Sequence, residues 1–199
     1  MKVCGITTPD DAQAAVDAGA AGLGFNFYPR SPRYITPAAA GEIIARLPSF
    51  VCSVGVFVDE TREAIAAAVC ASGVRTLQFH GVEAPEICQG WPHKVIKAIR
   101  VRDHAAATQA RAYRVDFILA DAYVEGQLGG TGTRVAVELL EGFDRRRLIL
   151  AGGLTADNVA AAVRAVRPFA VDVASGVETA PGRKDWNLMR RFIAHAHAA

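Results

Sequence analysis

The chain has 199 residues, of which 51% are hydrophobic, with 22 lysines and arginines against 20 aspartates and glutamates for a net charge of +2. That length suits one compact domain with a sizeable core, and that apolar content excludes a disordered polymer. The near-even charge gives no electrostatic footing for nucleic acid or a membrane surface, whereas a small anion needs only local charge.

No apolar stretch reaches the roughly 20 residues of a membrane span, and the first residues read as a strand rather than as a signal peptide. The expectation is a soluble, cytoplasmic protein, with monomer and homodimer both open. Four cysteines, Cys4, Cys52, Cys70 and Cys88, form no Cys-x-x-Cys pair, so no metal site is expected. Cys52, Cys70 and Cys88 read as small core residues.

In chain order, eight short apolar runs alternate with helix-like segments: Val3–Ile6, Gly22–Phe27, Ser53–Val58, Thr76–His80, Val95–Ile99, Phe117–Asp121, Leu148–Ala151 and Ala170–Ala174. Runs this continuous in Val, Ile, Leu and Phe suit parallel strands covered by helices. The first run carries Cys4 at its tip and is followed at once by Gly5 and Ile6. Thr8-Pro9-Asp10-Asp11 then predicts a capped helix that ends at Gly19 or Gly22. Thr36-Pro37 starts a second helix and Thr155–Asn158 a later one, while the Ala-rich stretches 64–71 and 160–165 favour helices lying close on a sheet. Between the fourth and fifth runs Pro85, Gly90 and Pro92 leave little room for a helix.

Residues 1–199 are therefore read as one α/β domain, a (β/α)8 TIM barrel. A doubly wound open sheet is the rival, but no Gly-x-Gly-x-x-Gly follows any run. In such a barrel the strand C-termini gather at one face, which brings forward Cys4, the segment Tyr28–Arg33, His80, Asp121, Gly152-Gly153 and Ser175-Gly176. The two glycine-bearing pairs suit a phosphate held by backbone N–H groups. The glycine-rich stretch 121–132 lacks a Walker ending and reads as a loop closing over substrate. Arg33 reads either as a loop arginine or as a fork for a planar carboxylate, and Arg30 as a residue that shapes the loop. His80 is either a ligand contact or a hydrogen-bonded barrel residue. Asp172, acidic inside an apolar run, lines the upper barrel or pairs with a cation such as Lys2. His195 and His197 do not share a helix face and carry no role.

The segments KVCGIT, GFNFYPRSPRYI, VGVFV, LQFHG, DAYVEGQLGGTG, LAGGLTADNV and VDVASGVETAPGRKD stand in the order seen in the phosphoribosylanthranilate isomerase family, which the whole chain resembles. The resemblance implies the Amadori rearrangement of N-(5'-phosphoribosyl)anthranilate to 1-(2-carboxyphenylamino)-1-deoxyribulose 5-phosphate, a step of tryptophan biosynthesis. It implies Asp121 as general acid, Cys4 as general base, and Arg33 at the anthranilate carboxylate. His80, Gly130, Gly152, Gly153, Ser175 and Gly176 complete the expected substrate contacts. No cofactor is called for, since proton transfers alone complete the reaction.

A carboxyl near ~3.9 is ionised at neutral pH and a thiol near ~8.5 is protonated, so each role asks for a suitable environment. The apolar residues before Asp121 suggest desolvation for the acid, and the base asks for positive charge nearby. Two departures stand out: Gly132–Val137 lacks the usual aromatic stretch, and only Met1 precedes Lys2. The rival functions are another phosphosugar barrel, such as the histidine-pathway aminoaldose isomerase, and a non-catalytic barrel that binds a phosphate ligand.

Overall fold

The computed structural model describes residues 1–121 and 137–199. Its strands are β1 (Lys2–Cys4), β2 (Gly22–Asn26), β3 (Cys52–Phe57), β4 (Thr76–Phe79), β5 (Lys94–Arg100), β6 (Phe117–Asp121), β7 (Leu148–Ala151) and β8 (Ala170–Val173), all parallel and closed into a barrel by β1 against β8. The helices are α1 (Pro9–Asp17), α2 (Pro37–Ile44), α3 (Arg62–Ser72), α4 (Ala105–Arg111), α5 (Val159–Val166) and α6 (Trp186–His197). A short antiparallel hairpin, β9 (Glu178–Ala180) with β10 (Arg183–Lys184), lies between β8 and α6. The closed sheet removes the doubly wound alternative.

Helix starts follow the cap chemistry in the sequence. Thr8, Thr36 and Thr61 each accept a hydrogen bond at 3.2 Å from the backbone N–H three residues on, and Pro9 and Pro37 open their helices. The first helix stops at Ala18, before Gly19 and well before Gly22. Not every unit has an α-helix: the chain from Pro85 to Gly90 forms only turns, and after β6 the described residues begin with a 3-10 turn, Val137–Leu140. The expected break between the fourth and fifth strands thus appears where proline and glycine placed it.

Alternation along the strands separates two cores. Val3, Leu23, Phe25, Leu77 and Phe79 face outward into the main core beneath the helices, and each is fully buried. A smaller cluster of Val54, Ile96, Ala98, Leu119, Ile149 and Ala151 fills the barrel interior. On β1 the inward positions are Lys2 and Cys4. A side chain at Gly24, their neighbour on β2, would place a Cβ 2.7 Å from Cys4 Sγ and 3.1 Å from Lys2 Cε, so only glycine fits there. Of the three cysteines assigned to the core, Cys88 is buried, Cys52 is partly buried and Cys70 is exposed. Cys70 follows the outer face of α3, and its alanine-rich surroundings gave no periodicity from which to place it.

No helix among the described residues is long and apolar enough to cross a membrane.

Candidate active site

The C-terminal ends of the strands surround a cavity of about 390 Å³ lined by Cys4, Arg33, His80, Asp121, Gly152, Gly153, Ser175 and Gly176. Every site residue singled out in the sequence is there except Gly130, which lies outside the described residues together with 122–132 of the glycine-rich loop and 132–136 of the atypical segment. Asn26, Gln78 and Asp172 line the same space. All three sit at inward strand positions, and that alternation was the sequence signal for them.

Cys4 is partly buried at the tip of β1. Lys2 shares its face of the strand and donates to Asp172 Oδ1 at 2.9 Å, across the β1–β8 register that pairs the two residues. Of the two roles open to Asp172, the ion pair with Lys2 is present and so is the place in the cavity wall. Burial favours a neutral Lys2, but Asp172 and the Cys4 side chain beside it outweigh burial and hold the ammonium above its usual range. Cys4 therefore has a buried cation next to it.

Arg33 reaches the cavity from the loop after β2. Asn26 Nδ2 donates to Ser31 Oγ at 3.1 Å, Ser31 Oγ accepts from Arg33 N at 3.1 Å, and Tyr28 N donates to Asn26 Oδ1 at 2.9 Å, which fixes the loop on the strand end. Gly5 explains the glycine after the cysteine. Its φ is +77° and a Cβ there would lie 2.6 Å from Arg33 Cδ, so the arginine packs on bare backbone. The guanidinium is held by Glu178, with Nε at 2.9 and 3.1 Å from its two oxygens and Nη2 at 2.6 Å. Lys184 Nζ also donates to Glu178, at 2.7 Å, and to Cys4 O at 2.6 Å. The sequence reading missed Glu178 and Lys184. Their signal was two charged residues in the segment after β8, too short to show a period.

Asp121 ends β6 with its side chain 30% exposed, and His80 Nε2 stands 4.0 Å from its Oδ2. Asp121 is thus partly buried at the rim of the cavity, where β6 ends. Gln78 Nε2 lies 2.8 Å from His80 Nδ1. With the amide donating, Nδ1 is the acceptor and Nε2 carries the proton that faces Asp121. Burial holds His80 below its usual value against the opposing pull of Asp121. Of the two readings of His80, the hydrogen-bonded barrel residue is present, and it lines the cavity as well. His195, given no role, bonds through Nδ1 to Ala156 O at 2.6 Å and ties α6 to the turn before α5.

These charges set the pH response of the fold. Burial raises the Glu178 carboxyl, but the bonds from Arg33 and Lys184 outweigh it and hold it below the usual range. Its stabilisation is complete above the unfolded carboxylate value of ~4.3 and is lost as pH falls through the lower folded value. His80 has the same sign with an earlier onset, since the unfolded chain takes up its proton first from about pH 6.5 downward. Melting temperature is expected to decline gently from pH 7.5 to 5.5 and steeply below about pH 4. A His80→Asn variant is expected to flatten the upper limb, and an unchanged limb would mean that His80 does not contribute.

The sequence profile of the N-(5'phosphoribosyl)anthranilate (PRA) isomerase family matches residues 1–195. An N-(5'-phosphoribosyl)anthranilate isomerase of Pelobacter propionicus is 48% identical over 194 residues, covering 97% of this chain and 93% of the relative. The crystal structure of phosphoribosyl anthranilate isomerase from Thermotoga maritima superposes with a TM-score of 0.91 at 41% identity, over 100% of this chain and 98% of that one. A crystal structure of such an isomerase in complex with reduced 1-(o-carboxyphenylamino)-1-deoxyribulose 5-phosphate gives 0.87 at 40% identity, with the same coverage.

Proposed function

Since the chain belongs to the N-(5'-phosphoribosyl)anthranilate isomerase family, we propose that it catalyses the Amadori rearrangement of N-(5'-phosphoribosyl)anthranilate to 1-(2-carboxyphenylamino)-1-deoxyribulose 5-phosphate, with Asp121 as acid and Cys4 as base. The observation that carries this reading is the convergence of Cys4, Asp121 and Arg33 on one cavity with the Gly152-Gly153 and Ser175-Gly176 turns. The reading takes residues 1–199 as one catalytic domain, cytoplasmic, acting as monomer or homodimer.

The chemistry divides into two proton transfers. Asp121 gives a proton to the furanose ring oxygen as the C1'–O bond breaks, and the anilino nitrogen lone pair forms the iminium. The Cys4 thiolate then removes the C2' proton, and the C–H electrons neutralise the iminium to give an enolamine that tautomerises to the aminoketose. The atoms balance without a redox partner, so no cofactor enters. Lys2 beside Cys4 supports the thiolate by charge, and His80 Nε2–H supports the carboxylate that Asp121 becomes. The glycine-bearing turns after β7 and β8 are assigned to the substrate phosphate, and Gly130 to the loop over the sugar.

Arg33 is assigned to the anthranilate carboxylate, since a guanidinium offers a second donor edge after one is taken by Glu178. Arg33→Ala is expected to raise KM roughly 10- to 100-fold, the range of a charged hydrogen bond, with a smaller change in kcat. An unchanged KM in steady-state assays would remove that contact. The overall reading is tested by giving purified protein both aminoaldose substrates. Turnover of the phosphoribosylanthranilate is expected, and turnover of the histidine-pathway aminoaldose alone would replace this reading with the rival one. Binding without turnover of either would leave a phosphate-ligand binding barrel.

A further inference from the structure

Arg33, Glu178 and Lys184 form a three-charge cluster at the edge of the cavity. The Glu178 side chain is 4% exposed and that of Lys184 is fully buried, whereas Arg33 keeps 23% of its surface open. The cluster therefore opens to ligand only through its arginine. Among the described residues no protein group takes Arg33 Nη1.

The local structure explains how the buried members arrive there. A 3-10 turn, Ser175–Val177, delivers Glu178 to the start of β9, and the hairpin returns Lys184 at the end of β10. Thr7 Oγ1 donates to Gly182 O at 2.6 Å, pinning the hairpin turn to the segment after β1. Lys184 N donates to Asp11 Oδ2 at 3.2 Å, which fixes the register of the last strand against α1. The Lys184 ammonium then reaches Glu178 at 2.7 Å and the carbonyls of Cys4 at 2.6 Å and Ala174 at 3.5 Å.

The charge count gives this arrangement a meaning. Glu178 orients Arg33 by a two-pronged contact, yet a carboxylate on an arginine leaves a neutral pair with little attraction for a second anion. Lys184 restores what Glu178 removes. We propose that Lys184 sets the ligand specificity of the site through Glu178, keeping one net positive charge on the cluster so that the open edge of Arg33 selects a ligand that carries a carboxylate. The proposal rests on the reading that Arg33 receives that carboxylate. Arg33 held above its usual range and Glu178 held below its own agree with all three groups being charged.

The other charged groups near Arg33 do not supply this charge. Lys2 is taken up by Asp172 and the Cys4 side chain, and Asp121 and His80 stand at the end of β6 and after β4. The selectivity of the site is therefore expected to follow the net charge of the cluster itself. Lys184→Met takes it from +1 to zero, Glu178→Gln takes it to +2, and the double variant returns it to +1 with no unpaired buried ion.

Calorimetric binding of two stable ligands tests this: the reduced 1-(o-carboxyphenylamino)-1-deoxyribulose 5-phosphate, and its counterpart lacking the ring carboxylate. The ratio of the two dissociation constants is the readout. Lys184→Met is expected to lose roughly tenfold of that preference, and the double variant to regain it. Glu178→Gln is expected to meet or exceed the parent, and inorganic phosphate is expected to bind all variants alike. A purely structural Lys184 predicts instead that both ligands weaken together and that the double variant is no better than the single. Either that result, or an unchanged ratio in Lys184→Met, overturns the proposal. If Lys184→Met does not fold, the comparison of Glu178→Gln with the double variant reads the same step from +2 to +1. Failure of the underlying reading looks different, because Arg33→Ala would then leave the ratio unchanged.

Discussion

Cys4→Ala and Asp121→Asn are each expected to lower kcat by about 10²- to 10⁴-fold, the range that a positioned acid or base contributes. The melting temperature is expected to stay close to the parent's. Both side chains stand at strand ends on the cavity wall, Asp121 is 30% exposed, and among the described residues neither is a member of a buried ion pair. Cys4→Ser is the sharper probe of the base, because a hydroxyl of similar shape retains the packing over Gly24 but is a far weaker acid than a thiol, and so gives almost no anion at neutral pH. It is expected to be nearly as slow as Cys4→Ala. Turnover within about tenfold of the parent in Cys4→Ser would assign Cys4 to placement rather than proton transfer, and near-normal turnover in Asp121→Asn would take the acid role from that residue.

What could be read from the sequence was what strands and caps encode locally. Continuous apolar runs gave the eight parallel strands to within a residue or two, Thr8 and Thr36 gave their helix starts, and strand ends gave Cys4, His80 and Asp121. The Lys2–Asp172 pair was also within reach, because an acid inside an apolar run has to find a cation.

Contacts that depend on closure of the barrel were not accessible in this way. Glu178 meets Arg33, and Lys184 meets Glu178, through a hairpin whose strands are three and two residues long, too short for alternation to appear. Lys97 hides within the run Val95–Ile99, where a lone lysine looks like a solvent-facing break although it is 1% exposed. Gly5 could be read as a turn residue, but its packing partner, Arg33, is 28 positions away and follows the next strand.

Lys97 carries the largest expected stability effect. Its ammonium donates to Glu83 Oε2 at 2.7 Å and to Gly81 O at 2.7 Å, with both side chains of the pair 2% exposed. The other oxygen of Glu83 accepts from Asp59 N and Gly81 N, each at 3.0 Å, and Tyr113 Oη donates to Glu83 O at 2.9 Å. This one ion pair thus fastens the chain just beyond β3 and β4 to the middle of β5, and it holds the turn that follows His80. Burial raises the Glu83 carboxyl, but Lys97 and the backbone donors outweigh it, so Glu83 stays ionised. Lys97→Met fills the same volume yet strands that carboxylate without its cation, at an expected cost of about 3–5 kcal/mol in urea unfolding. Lys97→Met with Glu83→Gln removes both charges and keeps an amide for the two backbone donors, so it is expected to recover most of the loss. Equal costs in the single and double variants would mean that packing of the lysine stem, rather than the unpaired carboxylate, accounts for the effect. A recovered double variant that also restores kcat would tie the pair to the placement of His80, because Gly81, whose N–H Glu83 holds, follows that histidine directly.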